Sequence, residues 1–292
     1  MVVATGFFDG VHLGHRAVLG ELVRRARASG DESLVITFWP HPRTVLQQEA
    51  RTFRLLSSLE EKSALIRALG VDRVEVLPFT DAFSRMTARD YLERVVIGRF
   101  GARGILLGYD NRLGSDLLTP EQAEPLAASL GLEVYRAPRI DAAAGAAVSS
   151  TRIRNALAAG DVTSAAAMLG APYQLFGVVV AGNRLGRTIG FPTANMQLYE
   201  PLKLIPGGGV YEVQVETADV RRRGMCNIGV RPTVGQGNAL TVETHIFDFD
   251  RDIYGRDIRI HFLRRIREER RFASLEELSR QLAEDRDAII GR

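Results

Sequence analysis

The hydrophobic rhythm of this chain changes once, and that change limits the folds open to it. From residue 2 to about 137, short apolar runs alternate with stretches whose apolar residues recur at the helical period. Residues 2–8, 34–38, 74–77, 105–107 and 132–135 predict strands. Between them, Ala17, Val18, Leu19, Leu22, Val23 and Ala26 share a helix face, as do Leu59, Ala64, Leu65, Ala68 and Leu69 behind Ser58 as N-cap. Strands joined by helices imply right-handed crossovers and a parallel sheet covered on both faces, a Rossmann-like α/β domain. Ligands reach such sheets at the carboxyl ends of the strands, so the loop after the first strand is the first place to look.

Past Gly170-Ala171-Pro172 the period becomes two. Two short helical segments, Ser150–Ala158 and Val162–Leu169, give way to strand patterns at 173–181, 210–216, 240–249 and 258–262, punctuated by glycines at 182, 186, 190 and 207–209. Ser274 and Glu277 predict a capping box for a closing helix with Leu275, Leu278, Leu282 and Ile289 on one face. The expectation is an α/β domain over 1–171 and, over 172–292, a small antiparallel β-barrel or sandwich with a C-terminal helix.

Composition excludes several classes. The 38 basic residues comprise 36 Arg and only Lys62 and Lys203, neither of them in a Walker phosphate loop. Net charge is +1 over residues 1–171 and +2 over the rest, too even to demand nucleic acid. Arg221-Arg222-Arg223 reads as a hairpin tip, and the arginines of 264–271 alternate with acids. One cysteine, Cys226, excludes a disulfide framework and suits a reducing cytoplasm. No stretch has the length of a membrane span or the pattern of a signal peptide, so neither a membrane nor a nucleic acid is expected as partner.

Three segments carry polar groups suited to phosphate. The first, Gly6-Phe7-Phe8-Asp9-Gly10-Val11-His12-Leu13-Gly14-His15, follows the first strand and sets two imidazoles at a helix start, where both can donate to phosphate oxygens. Alone, the same string is also a tight turn with two solvated histidines. In the second, Ser149, Ser150, Thr151 and Arg154 put hydroxyls and a guanidinium at another helix N-terminus, which is either a polyphosphate clamp or simply a capped helix. The third is a glycine-rich loop, Gly182 to Gly190, with Arg184 and Arg187, followed by Thr193 and Asn195. These groups suit Mg²⁺ and phosphate, although glycine loops are often only turns. Glu243 lies on an alternating strand, where an acid is ordinarily just exposed.

The first string resembles the H-x-G-H signature of the adenylyl- and cytidylyltransferase superfamily, and in its longer form the flavin branch of that superfamily. Residues 37–42 (with Pro40-His41-Pro42), 55–62 and 148–154 are similar to further segments of that branch. Gly190-Phe191-Pro192-Thr193-Ala194-Asn195 resembles the signature of riboflavin kinases, and Gly209-Val210-Tyr211, Asn227-Ile228-Gly229, Val242-Glu243, Tyr254-Gly255 and Arg267 to Phe272 follow in that family's order. Together the chain looks like the bacterial family that joins the two.

The resemblance implies that riboflavin, FMN and ATP are substrates, FAD is a product, and Mg²⁺ acts at both sites. It implies that His12, His15 and Arg154 are catalytic in adenylyl transfer, with Gly6, Phe8, Asp9, Gly10, Gly14, Ser150 and Thr151 at ATP and His41, Asp110 and Asn111 at the flavin. In the kinase it implies Glu243 as base, Gly182, Gly186, Arg187, Gly190, Pro192, Thr193 and Asn195 at ATP, Thr193 and Asn195 on Mg²⁺, and Asn227, Arg267 and Phe272 at the flavin. One segment departs from the family: Gly108-Tyr109-Asp110-Asn111-Arg112-Leu113-Gly114 lacks two aromatic positions of the branch. Either Phe7, Trp39 or Tyr109 takes their place, or adenylyl transfer is impaired. With lysine so scarce, both nucleotide sites are expected to work without one.

Overall fold

The computed structural model describes residues 1–46, 52–109, 111–137, 148–182, 185–233 and 237–291. The chain forms two compact units, Met1–Ser150 and Thr151–Arg292.

In the first unit, β1 (Val2–Thr5) leads to α1 (Leu13–Ser29), β2 (Ser33–Trp39), α2 (Pro42–Leu46), α3 (Leu59–Ala68) and β3 (Arg73–Pro78). Then come α4 (Asp81–Ser84), α5 (Ala88–Asp90) running into a π-helical stretch Tyr91–Arg99, β4 (Gly104–Leu107), α6 (Pro120–Ser129) and β5 (Glu133–Arg136). The strands are all parallel, in the order β3-β2-β1-β4-β5. Alternate residues of β1 feed opposite faces. Val2 and Ala4 pack with Leu19, Leu22 and Val23 of α1, whereas Val3 packs with Leu92, Val96, Ala123 and Ala127. The sheet is thus covered on both sides, as the sequence predicts. Strand order reverses between β1 and β4, which opens a crevice at their carboxyl ends.

The first strand is shorter than its apolar run predicts. Phe8, Gly10 and Val11 take positive φ (49°, 81° and 41°), which turns the chain away from the sheet after Thr5. Ser58 caps α3 in a complete box: its hydroxyl accepts the Glu61 N–H at 3.1 Å, and Glu61 accepts the Ser58 N–H at 2.8 Å.

The second unit starts with α7 (Ser150–Ala158), whose first residue belongs to the first unit, and α8 (Val162–Leu169), which packs on the barrel strands that follow. These strands are β6 (Tyr173–Val180), β7 (Ala194–Leu198) after the short α9 (Leu185–Thr188), β8 (Gly209–Glu216), β9 (Arg221–Thr233), β10 (Gly237–Ile246) and β11 (Asp257–Arg267). They close antiparallel in the order β10-β7-β6-β11-β8-β9, so the architecture is a barrel and not a sandwich. Leu175, Tyr211, Val213, Ile228, Ile260 and Phe262 are buried, and a barrel of this size has room inside for side chains only. Ligand space must therefore lie outside the wall.

Two local expectations change. Arg221-Arg222-Arg223 is the start of β9, not a hairpin tip. The turn comes just before it, where the Thr217 N–H meets the Val220 carbonyl at 2.9 Å. Long cations are accommodated on this strand because Gln214 and Glu212 of β8 accept from Arg221 and Arg223, each at 2.8 Å. The predicted box on α10 (Leu275–Ile290) is half formed. Ser274 accepts the Glu277 N–H at 3.2 Å, but Glu277 reaches back to the Ala273 N–H at 3.0 Å instead of to Ser274.

Candidate active sites

The turn after β1 is held from beneath by Asp9. Its buried carboxylate accepts the Leu56 N–H at 3.1 Å and the Ser57 N–H at 3.0 Å, and the Ser57 hydroxyl accepts the Gly10 N–H at 2.9 Å. The Asp9 carbonyl receives the Ser150 hydroxyl at 3.2 Å, within the first unit. Gly10, at φ 81°, lets the loop double back to α1.

His12 is the N-cap of α1, its Nδ1 accepting the His15 N–H at 3.3 Å. An accepting Nδ1 places the proton on Nε2, so the ring presents a donor at its far end. The His15 ring stacks on that of His12, with centroids 3.6 Å apart and planes 17° apart, and meets the Phe8 ring edge-on at 5.3 Å. Burial, then the neighbouring His12 and Lys62, hold the His15 pKa well below 6.5. Two imidazoles at the positive end of a helix form a donor pair for anionic oxygen. Gly6 and Gly14 bracket this loop, and Thr151 and Arg154 lie farther along α7.

At the strand-order reversal, a cavity of about 400 Å³ is lined by Phe7, Phe38, Phe79, Phe83, Tyr91 and Asn111, among others. Their rings touch in series: Phe7 to Phe38 at 5.2 Å, Phe7 to Phe79 at 5.7 Å, Phe38 to Phe83 at 5.3 Å. Asn111 donates to the Thr5 carbonyl at 3.1 Å and so joins the loop after β4 to the end of β1. The His41 ring packs at a tilt against Phe7 (5.1 Å between centroids) and Phe53 (4.6 Å). Asp110 lies outside the described residues. Aromatic surface is therefore supplied from β2 and from the segments after β1 and β3.

On the barrel, register aligns the polar residues. Asn195 of β7 pairs with Glu243 of β10, Glu243 with Asn227 of β9, Asn227 with Val210 of β8, and Val210 with Arg267 of β11. Directly opposed residues point to one side of a sheet, so this girdle faces outward together. There α10 and the segment before it roof a cavity of about 370 Å³, lined by Thr193, Asn227, Glu243, Arg267, Phe272 and Leu282, among others. Glu243 is half-buried in this cavity, so the outer face is not plain solvent. A smaller, more polar pocket of about 80 Å³ takes in Arg187, Pro192, Thr193, Asp250, Asp252 and Tyr254. Thr193 belongs to both.

Between these pockets, His245 Nδ1 bonds the Pro192 carbonyl at 2.8 Å. A Cβ at Gly182 would overlap the Asn195 amide, and the Gly186 carbonyl receives the Phe191 N–H at 2.7 Å ahead of the Gly190 turn.

Comparison with known proteins matches each half of the chain to a family. Residues 1–152 match the FAD synthetase family model and residues 169–290 the riboflavin kinase model. A bifunctional riboflavin kinase/FMN adenylyltransferase of Bacillus subtilis is 34% identical over 99% of this chain and 91% of its own length. One from Pseudomonas fluorescens is 37% identical over 97% and 90%. The chain belongs to the bifunctional riboflavin kinase/FMN adenylyltransferase family. A crystal structure from Streptococcus pneumoniae, described as a macrolide-efflux protein, shares this family member's fold with a TM-score of 0.92, 34% identity and coverage of 100% and 94%. Among the described residues of this family member, no helix is long and apolar enough to cross a membrane.

The family member also uses residues that its motifs do not announce. Asp285 of α10, 3% exposed, takes Arg267 Nε at 3.0 Å and Nη2 at 2.8 Å and receives Gln281 at 3.0 Å. Most of the Arg267 fork is thereby committed, and its plane lies 5.6 Å from the centre of the Phe272 ring. The sequence does hold a signal for this, since Asp285 interrupts the apolar stripe Leu278, Leu282, Ile289. Asp285→Asn should destabilise the barrel unit by about 3–5 kcal/mol, because an arginine loses its buried counter-charge. Urea unfolding followed by flavin-independent far-UV signal checks this, and an unchanged midpoint would show the pair to be incidental.

Lys62 lies beneath the loop after β1, 4% exposed, donating to the Phe7 carbonyl at 3.0 Å. It shares the inward face of α3 with Leu59 and Ile66.

Proposed function

We propose that this chain makes FAD from riboflavin in two ATP-dependent steps, with the functional boundary at residues 171/172. The second domain phosphorylates riboflavin to FMN, and the first transfers AMP from ATP to FMN with release of pyrophosphate. The observation that carries the reading is Thr193 in the wall of both barrel pockets. A largely apolar cavity with two carboxylates, Glu243 and Glu269, meets a polar pocket at one hydroxyl, as transfer between a flavin and a nucleotide requires.

In the kinase step the ring system occupies the larger cavity, between Phe272 and the aliphatic residues of α10, with Asn227 and Glu243 at its polar wall. Glu243 takes the proton of the 5′-hydroxyl as that oxygen bonds to the γ-phosphorus and the bond to ADP breaks. The polar pocket, with Arg187 and the Gly182–Gly190 loop, holds the nucleotide. Mg²⁺, when bound, neutralises charge on the phosphate oxygens. Thr193 and Asn195 fit it, since a hydroxyl and an amide oxygen are hard donors that leave most positions to phosphate and water. Gly182 gives the Asn195 amide the room to sit there.

In the adenylyl step the FMN ring lies against the aromatic cavity. Its phosphate attacks the α-phosphorus while His12 and His15 donate to the oxygens gaining charge. Ser150, Thr151 and Arg154 hold the departing pyrophosphate. The five-ring cavity wall favours an active first domain over an impaired one, despite the altered 108–114 loop. We place the enzyme in the cytoplasm, where ATP is available and Cys226, its thiol pushed up to about 12 by burial, stays reduced.

Purified chain incubated with riboflavin, ATP and Mg²⁺ should accumulate FAD, read by chromatography of the flavins. FMN that never converts would remove the adenylyltransferase half, and unchanged riboflavin would remove both.

A further inference from the structure

We propose that Lys62 is a positioning residue of the adenylyl-transfer site: it fixes the nucleotide loop by the Phe7 carbonyl and sets a buried ammonium behind the loop, toward bound phosphate. This rests on the adenylyltransferase reading of the first domain.

The ammonium donates to the Phe7 carbonyl at 3.0 Å and to the Phe38 carbonyl at 3.4 Å, so one side chain joins the loop after β1 to the end of β2. Both of those residues also line the aromatic cavity. A lysine has three donors, and the third meets no acceptor among the described residues. The Trp39 ring, 5.9 Å away, closes one side. The ionisable groups facing the ammonium are the Asp9 carboxylate from the loop and the His15 imidazole from α1, with His12 stacked behind His15. On its own helix, Glu61 turns away to the Ser58 N–H.

A cation held by neutral carbonyls is costly to bury, and an apolar side chain of similar length would fill the position without that cost. The Asp9 carboxylate, which accepts the Leu56 and Ser57 N–H groups, opposes that cost without cancelling it. Burial accordingly pushes the Lys62 pKa down to about 8, with Asp9 opposing. The missing counter-charge is phosphate, delivered to a glycine loop that has no lysine of its own. It comes either from the nucleotide or from the monophosphate of FMN.

The scarcity of lysine makes this directly measurable. Lysine labelled with ¹³C at Cε gives two signals, Lys62 and Lys203, assigned with Lys62→Arg or, if that variant does not fold, Lys203→Arg. In the free wild-type chain Lys62 should titrate near pH 8. An ATP analogue with a methylene between the α- and β-phosphorus, which cannot transfer AMP, should raise that midpoint by about one unit and leave Lys203 unmoved. A rise with FMN alone and none with the analogue would assign the contact to the flavin phosphate. A midpoint that stays while the His12 and His15 signals move overturns the inference but not the adenylyltransferase reading. If the analogue moves neither, that reading fails and the inference fails with it.

Activity supplies a second readout. The kcat/KM for ATP in FAD formation should fall as pH rises above about 8, since the ammonium of the free enzyme is lost, and Lys62→Arg should lack that limb because a guanidinium stays charged. Lys62→Met should lower FAD formation at pH 7 about tenfold with FMN formation unchanged, and full activity in that variant overturns the proposal.

Discussion

Glu243→Gln should reduce riboflavin phosphorylation about 10²–10⁴-fold in kcat, the span a positioned general base supplies. The substitution keeps shape and cross-strand register, so Asn195 and Asn227 stay aligned and KM for riboflavin should change little. FAD formation from added FMN should be unaffected, because it takes place in the other domain. The comparison that decides is Glu269→Gln, since Glu269 also lines the cavity. Kinase activity kept in Glu243→Gln and lost in Glu269→Gln would move the base to Glu269. In that case the alignment of Asn195, Glu243 and Asn227 would serve binding alone.

His15→Ala should reduce FAD formation about 10²–10³-fold, the usual loss when one preorganised donor to a charge-gaining oxygen is removed. The imidazole is an effective donor here because it is fixed by stacking on His12 and by the edge of Phe8, and it needs no reorientation as charge develops. FMN formation should persist, which distinguishes a lost donor from a misfolded chain. The same burial gives a stability signature. Because the folded pKa of His15 lies below its unfolded value, the unfolded chain binds more protons below pH 6.5. The first domain should therefore lose stability as pH falls through 6.5, and His15→Ala should flatten that part of the profile. An equally steep acid limb in the variant would show that other groups carry it.

How much of this was legible in the sequence depends on how far each feature reaches along the chain. The covered parallel sheet and the following β-rich unit are written in hydrophobic period, a local property that each strand and helix states for itself. The caps at Ser58 and Ser274 were legible for the same reason, being set within three residues. The half-formed box on α10 shows the limit, because whether Glu277 reaches Ser274 or Ala273 depends on how the chain enters the helix. Strands β7 and β9 escaped because one is short and follows a glycine loop, while the other opens on three arginines. Their pairing depends on partners that the local pattern does not name.

The sequence by itself determined which residue types could meet phosphate: two histidines beyond a first strand, hydroxyls at a helix start, and a glycine loop before Thr193 and Asn195. Tertiary structure decided what those groups face. Barrel register brought Glu243 between Asn195 and Asn227, and α10 roofed that row, turning an ordinary outward acid into one wall of a cavity. Assembly of the parallel sheet gathered five aromatic rings from segments distant in sequence, beside a loop after β4 that lacks two aromatic positions of the branch. Lys62 and Asp285 took their partners from the faces opposite them, a carbonyl pair and an arginine eighteen positions away in the chain. A side chain's periodicity fixes the face it points from. Its pKa, partners and access to ligand come from residues distant in sequence, which only folding brings within a few ångströms.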